Sequence, residues 1–139
     1  MQPPGVVFIC LGNSCRSIMA EALTRHLFGA AVAAASAGIH PLGFIAPKTL
    51  RVLAEIGVST AGLRSKGLEE IKFRDYHLAV NLTDYSLEHL LPLTFPGRLL
   101  HRPVFDPYAG SLEDYRGTRD TLHRLITQEI YAVLFPAGT

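Results

Sequence analysis

The chain reads as an α/β protein with a parallel sheet covered by helices on both faces, and three observations predict it. Apolar runs of strand length recur at 6–9, 32–37, 77–82 and 98–104. Segments with helical spacing of apolar residues separate them, an alternation that argues for parallel strands joined by crossover helices. The first run, Val6-Val7-Phe8-Ile9, is apolar at successive positions. That is the pattern of a strand buried on both faces.

Taken in order, the first strand ends at Ile9, and Gly12 with Asn13 marks a turn. From Ser17 the residues are helix-forming, with Met19, Ala22, Leu23 and Leu27 on one face. Gly29 breaks that helix. The second strand is rich in small residues and closes with Ser36-Ala37-Gly38. His40-Pro41-Leu42-Gly43-Phe44 is a loop expected near the pocket mouth, with Phe44 read as packing rather than as lining. Ala46, Leu50, Leu53 and Ala54 predict an apolar stripe on a second helix that Gly57 ends. A short helix is expected over 67–73. The third strand follows, with Thr83-Asp84 as cap material, then a helix marked by Leu87, Leu90 and Leu91. After the fourth strand, Ser111 opens a last helix whose core stripe is Tyr115, Leu122, Ile126 and Val133.

Ligands of such sheets bind at the carboxyl ends of the strands, where residues 10–17 fall. A strand-to-helix loop there aims backbone N–H groups into a concavity at the positive end of a helix, which suits an oxyanion. Arg16 adds a fork for two oxygens of a tetrahedral anion. Cys10, at the lip, feels the N–H groups, the helix terminus and the guanidinium together. Such surroundings take a thiol from about 8.5 into the ~3.5–7.5 range. A lone strand-end cysteine would be an inert small hydrophobe. The loop, Arg16 and a later acid make Cys10 a nucleophile aimed at a phosphate-like anion. That acid is Asp106: on a loop stiffened by Pro107, one carboxyl group can protonate a leaving atom and then activate water. Alone, Asp-Pro would be only a turn signal.

Composition narrows the classes. At 139 residues, a single domain over 1–139 is expected, and 48% hydrophobic with 18% charged residues describes a globular chain. The formal charge of +1 and the lack of a basic run exclude a nucleic-acid partner. No apolar run reaches the ~18 residues of a membrane span. Met1-Gln2-Pro3-Pro4-Gly5 lacks the charged region of a signal peptide. Cys10 and Cys15 make no secreted disulfide framework, so a reducing, cytoplasmic setting is expected. His26, His40, His77, His89, His101 and His123 show no paired ligand spacing, so neither a metal nor another cofactor is expected.

The run Cys10-Leu11-Gly12-Asn13-Ser14-Cys15-Arg16-Ser17, then Met19-Ala20-Glu21-Ala22, resembles the phosphate loop of the low-molecular-weight protein tyrosine phosphatases. Asp106-Pro107-Tyr108-Ala109-Gly110 resembles their general-acid loop. The resemblance implies a three-layer sandwich around a central four-stranded parallel sheet. It implies catalytic roles for Cys10, Arg16 and Asp106, and a phosphate cradle from Leu11, Gly12, Asn13, Ser14, Cys15, Arg16 and Ser17. Ser17 would also donate to the Cys10 sulfur. Ser36 would support the loop through Asn13, although by its residues alone it reads equally as an ordinary strand-end serine. Tyr108 would wall the substrate, and Cys10 with Cys15 would form a reversible disulfide. Ile18 stands where the family usually carries proline. Gly62 falls near a position where relatives often carry a histidine supporting the loop asparagine, leaving Ser65 or water to complete the network.

The implied activity is hydrolysis of phosphorylated protein side chains, or a small phosphomonoester, through a phosphocysteine. Phosphotyrosine ranks ahead of phosphoarginine. Ser14 is smaller and more polar than the aliphatic residue of tyrosine-specific members, and 106–120 resembles the bacterial branch containing arginine phosphatases. Thiol-coupled arsenate reductases share the fold and loop. With no cysteine after Cys15, only a version using an external thiol fits. A non-catalytic anion-binding or redox-sensing domain is the third reading. A monomer is expected, with no membrane partner.

Overall fold

The computed structural model describes residues 2–92 and 95–137. Its centre is a parallel sheet of β1 (Gly5–Cys10), β2 (Ala33–Gly38), β3 (Leu78–Asn81) and β4 (Arg98–His101), in spatial order β2-β1-β3-β4. Every residue of β1 is buried, because strands flank both its edges and layers cover both its faces. Val6 and Phe8 enter one core, Val7 and Ile9 the other, following the two-residue period of a strand. Complete burial of Phe8 contributes on the order of 2–3 kcal/mol. The chain passes from β1 to β2 on one side, then crosses to β3 on the other. Cys10 therefore ends the strand at the topological switch point, where such sheets open a crevice.

One face carries α1 (Arg16–Phe28), α2 (Pro47–Ala54), α3 (Leu112–Leu125) and α4 (Tyr131–Leu134). A π-helical turn, Ile126–Ile130, joins the last two. α1 is buried all round from Arg16 to Thr24, so the one-sided stripe understates its burial: it lies between the sheet and α2 and α3. On α2 the inward residues are Thr49, Val52 and Leu53, while Leu50 and Ala54 are exposed. Of the expected stripe Ala46 and Leu53 are buried, and the inward face is shifted toward Thr49 and Val52. Thr49 Oγ1 donates to the Ser14 carbonyl at 2.9 Å, and Arg119 Nη1 donates to the Val52 carbonyl at 2.9 Å. Ser111 caps α3 by accepting from the Asp114 N–H, while Asp114 accepts from the Ser111 N–H.

The other face is covered by single 3-10 turns, Leu68–Glu70, Phe73–Asp75 and Glu88–Leu90. The helix expected around Leu87, Leu90 and Leu91 shrinks to the last of these. Leu91 precedes Pro92 and is extended (φ −84°, ψ 145°), as the steric demand of a following proline requires. β4 stops at His101 rather than Val104 because the Thr83 N–H, which would carry the pairing past Asn81, donates to Asn81 Oδ1 at 2.9 Å instead. Arg102 and Val104 still donate to Asn81 and Leu82 carbonyls at 2.8 and 3.0 Å. Among the described residues no helix is long and apolar enough to cross a membrane.

Candidate active site

The 10–17 loop turns its carbonyls outward. Those of Cys10, Leu11 and Gly12 accept from the N–H groups of Ile39, His40 and Leu42 at 3.0, 2.8 and 3.0 Å, and that of Ser14 accepts from Ala46 at 3.3 Å. In a trans peptide the next N–H points opposite to the carbonyl. The N–H groups of Leu11, Gly12, Asn13 and Cys15 are thereby aimed at the concave side, toward the N-terminus of α1. This is an oxyanion cradle built from backbone. Gly38 makes the arrangement sterically feasible: a Cβ there would stand 2.8 Å from the Asn13 nitrogen and 2.9 Å from the Leu11 oxygen.

Behind the cradle runs a buried polar chain. Asn13, at φ 46°, donates through Nδ2 to Ser17 Oγ (2.7 Å) and Ser36 Oγ (3.0 Å), and its Oδ1 accepts from the Lys66 N–H at 2.8 Å. Ser36 donates to Glu21 Oε1 at 2.5 Å. Glu21, itself buried, pairs with Arg25 and, at 3.8 Å, with Lys66. Ser17 Oγ lies 2.8 Å from Cys10 Sγ. Ser65 donates to the Gly12 carbonyl at 3.1 Å, so Ser65 and the Lys66 backbone complete the network that Gly62 does not. Glu21 belonged to the quoted motif but drew no role. The signal was an acid inside an otherwise apolar helical turn.

Cys10, Leu11, Gly12, Ser14, Cys15 and Arg16 line one depression with Asp106 and Tyr108, and with His40 and Leu42 of the loop expected near the pocket mouth. Asn13 and Ser17 lie behind it, fully buried. The Arg16 guanidinium is held by the carbonyls of Leu82 (3.0 Å) and Val104 (3.2 Å) and stands 3.4 Å from Asp106. Asp106 is exposed on its loop and accepts from the Tyr108 N–H at 3.1 Å. Ser14 donates its single proton to the Phe44 carbonyl and accepts from the Ala46 N–H, both at 2.8 Å. Its polarity serves the scaffold rather than the pocket. Phe44, expected to pack, is half exposed beside Tyr108 at the rim of a neighbouring depression.

The two thiols sit in different surroundings. Cys15 Sγ donates to Tyr115 Oη at 3.5 Å. Burial pushes its thiol up, hydrogen bonds with Tyr115 and Thr49 pull the other way, and negative charge on Asp106 or Cys10 pushes it further up. Tyr115 is likewise raised by burial. Cys15 is therefore kept as a neutral thiol beside a Cys10 that contacts a hydroxyl donor.

The fold and this site define an α/β protein that presents a thiol over a backbone oxyanion cradle. A family model for low molecular weight phosphotyrosine protein phosphatase matches residues 5–133, and the chain belongs to that family. It is 30% identical to a protein-arginine-phosphatase of Bacillus subtilis (strain 168), over 88% of this chain and 92% of that protein. It is 29% identical to arsenate reductase 2 of Staphylococcus saprophyticus, over 92% of this chain and 97% of that one. Among solved structures, an arsenate reductase in the phosphate binding state superposes with a TM-score of 0.81 at 26% identity, covering 91% of this chain and 96% of that one.

Proposed function

We propose that the protein is a cysteine-dependent phosphatase acting on phosphorylated protein side chains, phosphotyrosine ahead of phosphoarginine. The observation that carries this is the meeting of Cys10, Arg16 and Asp106 over one depression of about 270 Å³. The phosphoryl oxygens take the cradle N–H groups and the Nε–Nη2 edge of Arg16, the edge that also faces Asp106. The Cys10 thiolate attacks phosphorus in line, the bond to the substrate oxygen breaks, and Asp106 gives that oxygen its proton. Water then attacks the phosphocysteine, its proton passing to Asp106. The P–S bond breaks, and Ser17 stabilises the departing thiolate. Each preorganised donor of such a cradle is worth ~10²–10³ in rate, and a positioned acid ~10²–10⁴. The aromatic face of Tyr108 favours phosphotyrosine, while similarity to a protein-arginine-phosphatase supports phosphoarginine as the runner-up. A reducing cytoplasm would keep both thiols free, and oxidation would join Cys10 to Cys15.

A second reading, arsenate reduction with an external thiol, is supported by the similarity to arsenate reductases. The deciding experiment is p-nitrophenyl phosphate hydrolysis under reducing conditions. Turnover by the parent, lost in Cys10→Ser, establishes the phosphatase. Silence of the parent, with arsenate reduced once a small thiol is added, replaces it with the second reading. Anion binding without either turnover leaves a binding domain.

A further inference from the structure

A second depression, of about 500 Å³, opens beside the catalytic one and shares its Leu11 and His40 walls. Its remaining lining includes Tyr85, His89 and Leu90, and among the described residues no Asp, Glu, Lys or Arg lines it. Tyr85 and Leu90 expose 59% and 38% of their surface, apolar area left at the rim of a pocket. The turn that presents Tyr85 is preformed. Buried Asn81 donates to the Tyr85 carbonyl at 2.5 Å and accepts from Thr83 N–H and Oγ1 at 2.9 and 2.7 Å, while the Tyr85 N–H donates to Thr83 Oγ1 at 3.0 Å. The adjacent carboxylate, Glu88, is engaged by His101 Nε2 at 2.9 Å and by Ser86.

We propose that this depression is a substrate subsite. It takes an apolar side chain that flanks the phosphorylated residue of a protein substrate, within two positions of it. The proposal rests on the phosphatase reading above. A small phosphomonoester is accommodated by the catalytic depression and has nothing to extend across the shared wall. An extended polypeptide places side chains two residues apart on one face, ~7 Å along the chain, and the two depressions are separated only by the Leu11 and His40 walls they share. A lining of Leu11, Ile39, Leu87 and Leu90 with Tyr85 selects an apolar side chain, and the lack of lysine or arginine among the described lining residues disfavours an anionic polymer or headgroup.

The test is a panel of phosphotyrosine and phosphoarginine peptides carrying Leu or Phe, Ser, or Lys at the positions flanking the phosphorylated residue, beside p-nitrophenyl phosphate. The parent should favour the apolar-flanked peptides by ~10-fold or more in kcat/KM, the scale on which a hydrophobic subsite discriminates. The double variant Tyr85→Ala, Leu90→Ala should erase that preference and leave p-nitrophenyl phosphate turnover unchanged. His89→Glu should shift the preference toward Lys-flanked peptides, a gain that misfolding cannot produce. A flat panel from a parent that hydrolyses p-nitrophenyl phosphate overturns the subsite and leaves the phosphatase standing, as does a preference that survives the double variant. If the parent turns over no phosphorylated substrate, the phosphatase reading fails, and peptide affinities for Cys10→Ser decide the subsite. Equal affinities overturn it, and an apolar preference lost on adding Tyr85→Ala and Leu90→Ala upholds it.

Discussion

The 10–17 loop and the 105–110 loop meet over one pocket, yet the first is locked from behind and the second stands largely in solvent. Asn13 and Ser17 are completely buried, whereas Phe105, Asp106 and Tyr108 are exposed. The 105–110 loop is tied mainly at its ends, by Thr118 Oγ1 donating to the Phe105 carbonyl (3.1 Å) and Lys48 Nζ donating to the Gly110 carbonyl (2.8 Å). Among the described residues, Asn13 (φ 46°) and Ala109 (φ 66°) are the two non-glycine residues with positive φ, one in each loop. Asn13 offsets the strain with three side-chain hydrogen bonds; Ala109 has no polar side chain with which to do so. An anion cradle must be in place before charge develops. An acid that meets leaving groups of varied shape needs only to reach them.

The largest test of this contrast is Asp106→Asn. Turnover of p-nitrophenyl phosphate should fall ~10²–10⁴-fold with the fold intact by circular dichroism. A loss of less than threefold would remove Asp106 from the chemistry. Asn13→Gly comes next, because it keeps the backbone freedom while leaving Ser17, Ser36 and the Lys66 N–H short of a partner. It should cost ~1–3 kcal/mol in urea unfolding and lower kcat by ~10-fold or more. Ala109→Gly should do little by comparison: relief of the left-handed strain and the added freedom of the unfolded chain oppose each other, leaving stability within ~1 kcal/mol. Equal losses in Asn13→Gly and Ala109→Gly would erase the distinction between the loops.

The smallest effect concerns the brace that joins α2 to α3, the helices adjoining the two loops. Arg116, with Arg119 assisting and slight burial opposing, lowers the Glu55 carboxyl from 4.5 to about 2. A carboxyl depressed in the folded state adds stability above its unfolded value and loses it as pH falls toward the folded one. The parent should therefore be slightly more stable than Glu55→Gln at neutral pH. That gap should close between pH 4.5 and about 2, as followed by urea midpoints. Parallel curves across that window would show that the pair contributes nothing.

Much of the site was legible because its chemistry is local. Cys10, Arg16 and the cradle belong to one strand-loop-helix segment, and Asp106 beside Pro107 reads as more than a turn only once paired with that segment. What was missed came from distant backbone or from side chains without a motif. The carbonyls of Leu82 and Val104 that hold Arg16 have no residue identity to read. Glu21 carried no assigned role, and its link to Ser36 depends on β2 lying beside β1.

The sequence by itself determined the strands, the first and last helices and the order of the 10–17 and 105–110 loops, because apolar periodicity and turn residues act over a few neighbours. Tertiary structure decided which face of α2 turned inward and where Ser14 spent its hydroxyl. It also decided that Leu11 and His40 would separate two depressions rather than close one. Each of those outcomes turns on a partner tens of residues away, and only the folded sheet brings such partners within hydrogen-bonding or packing distance.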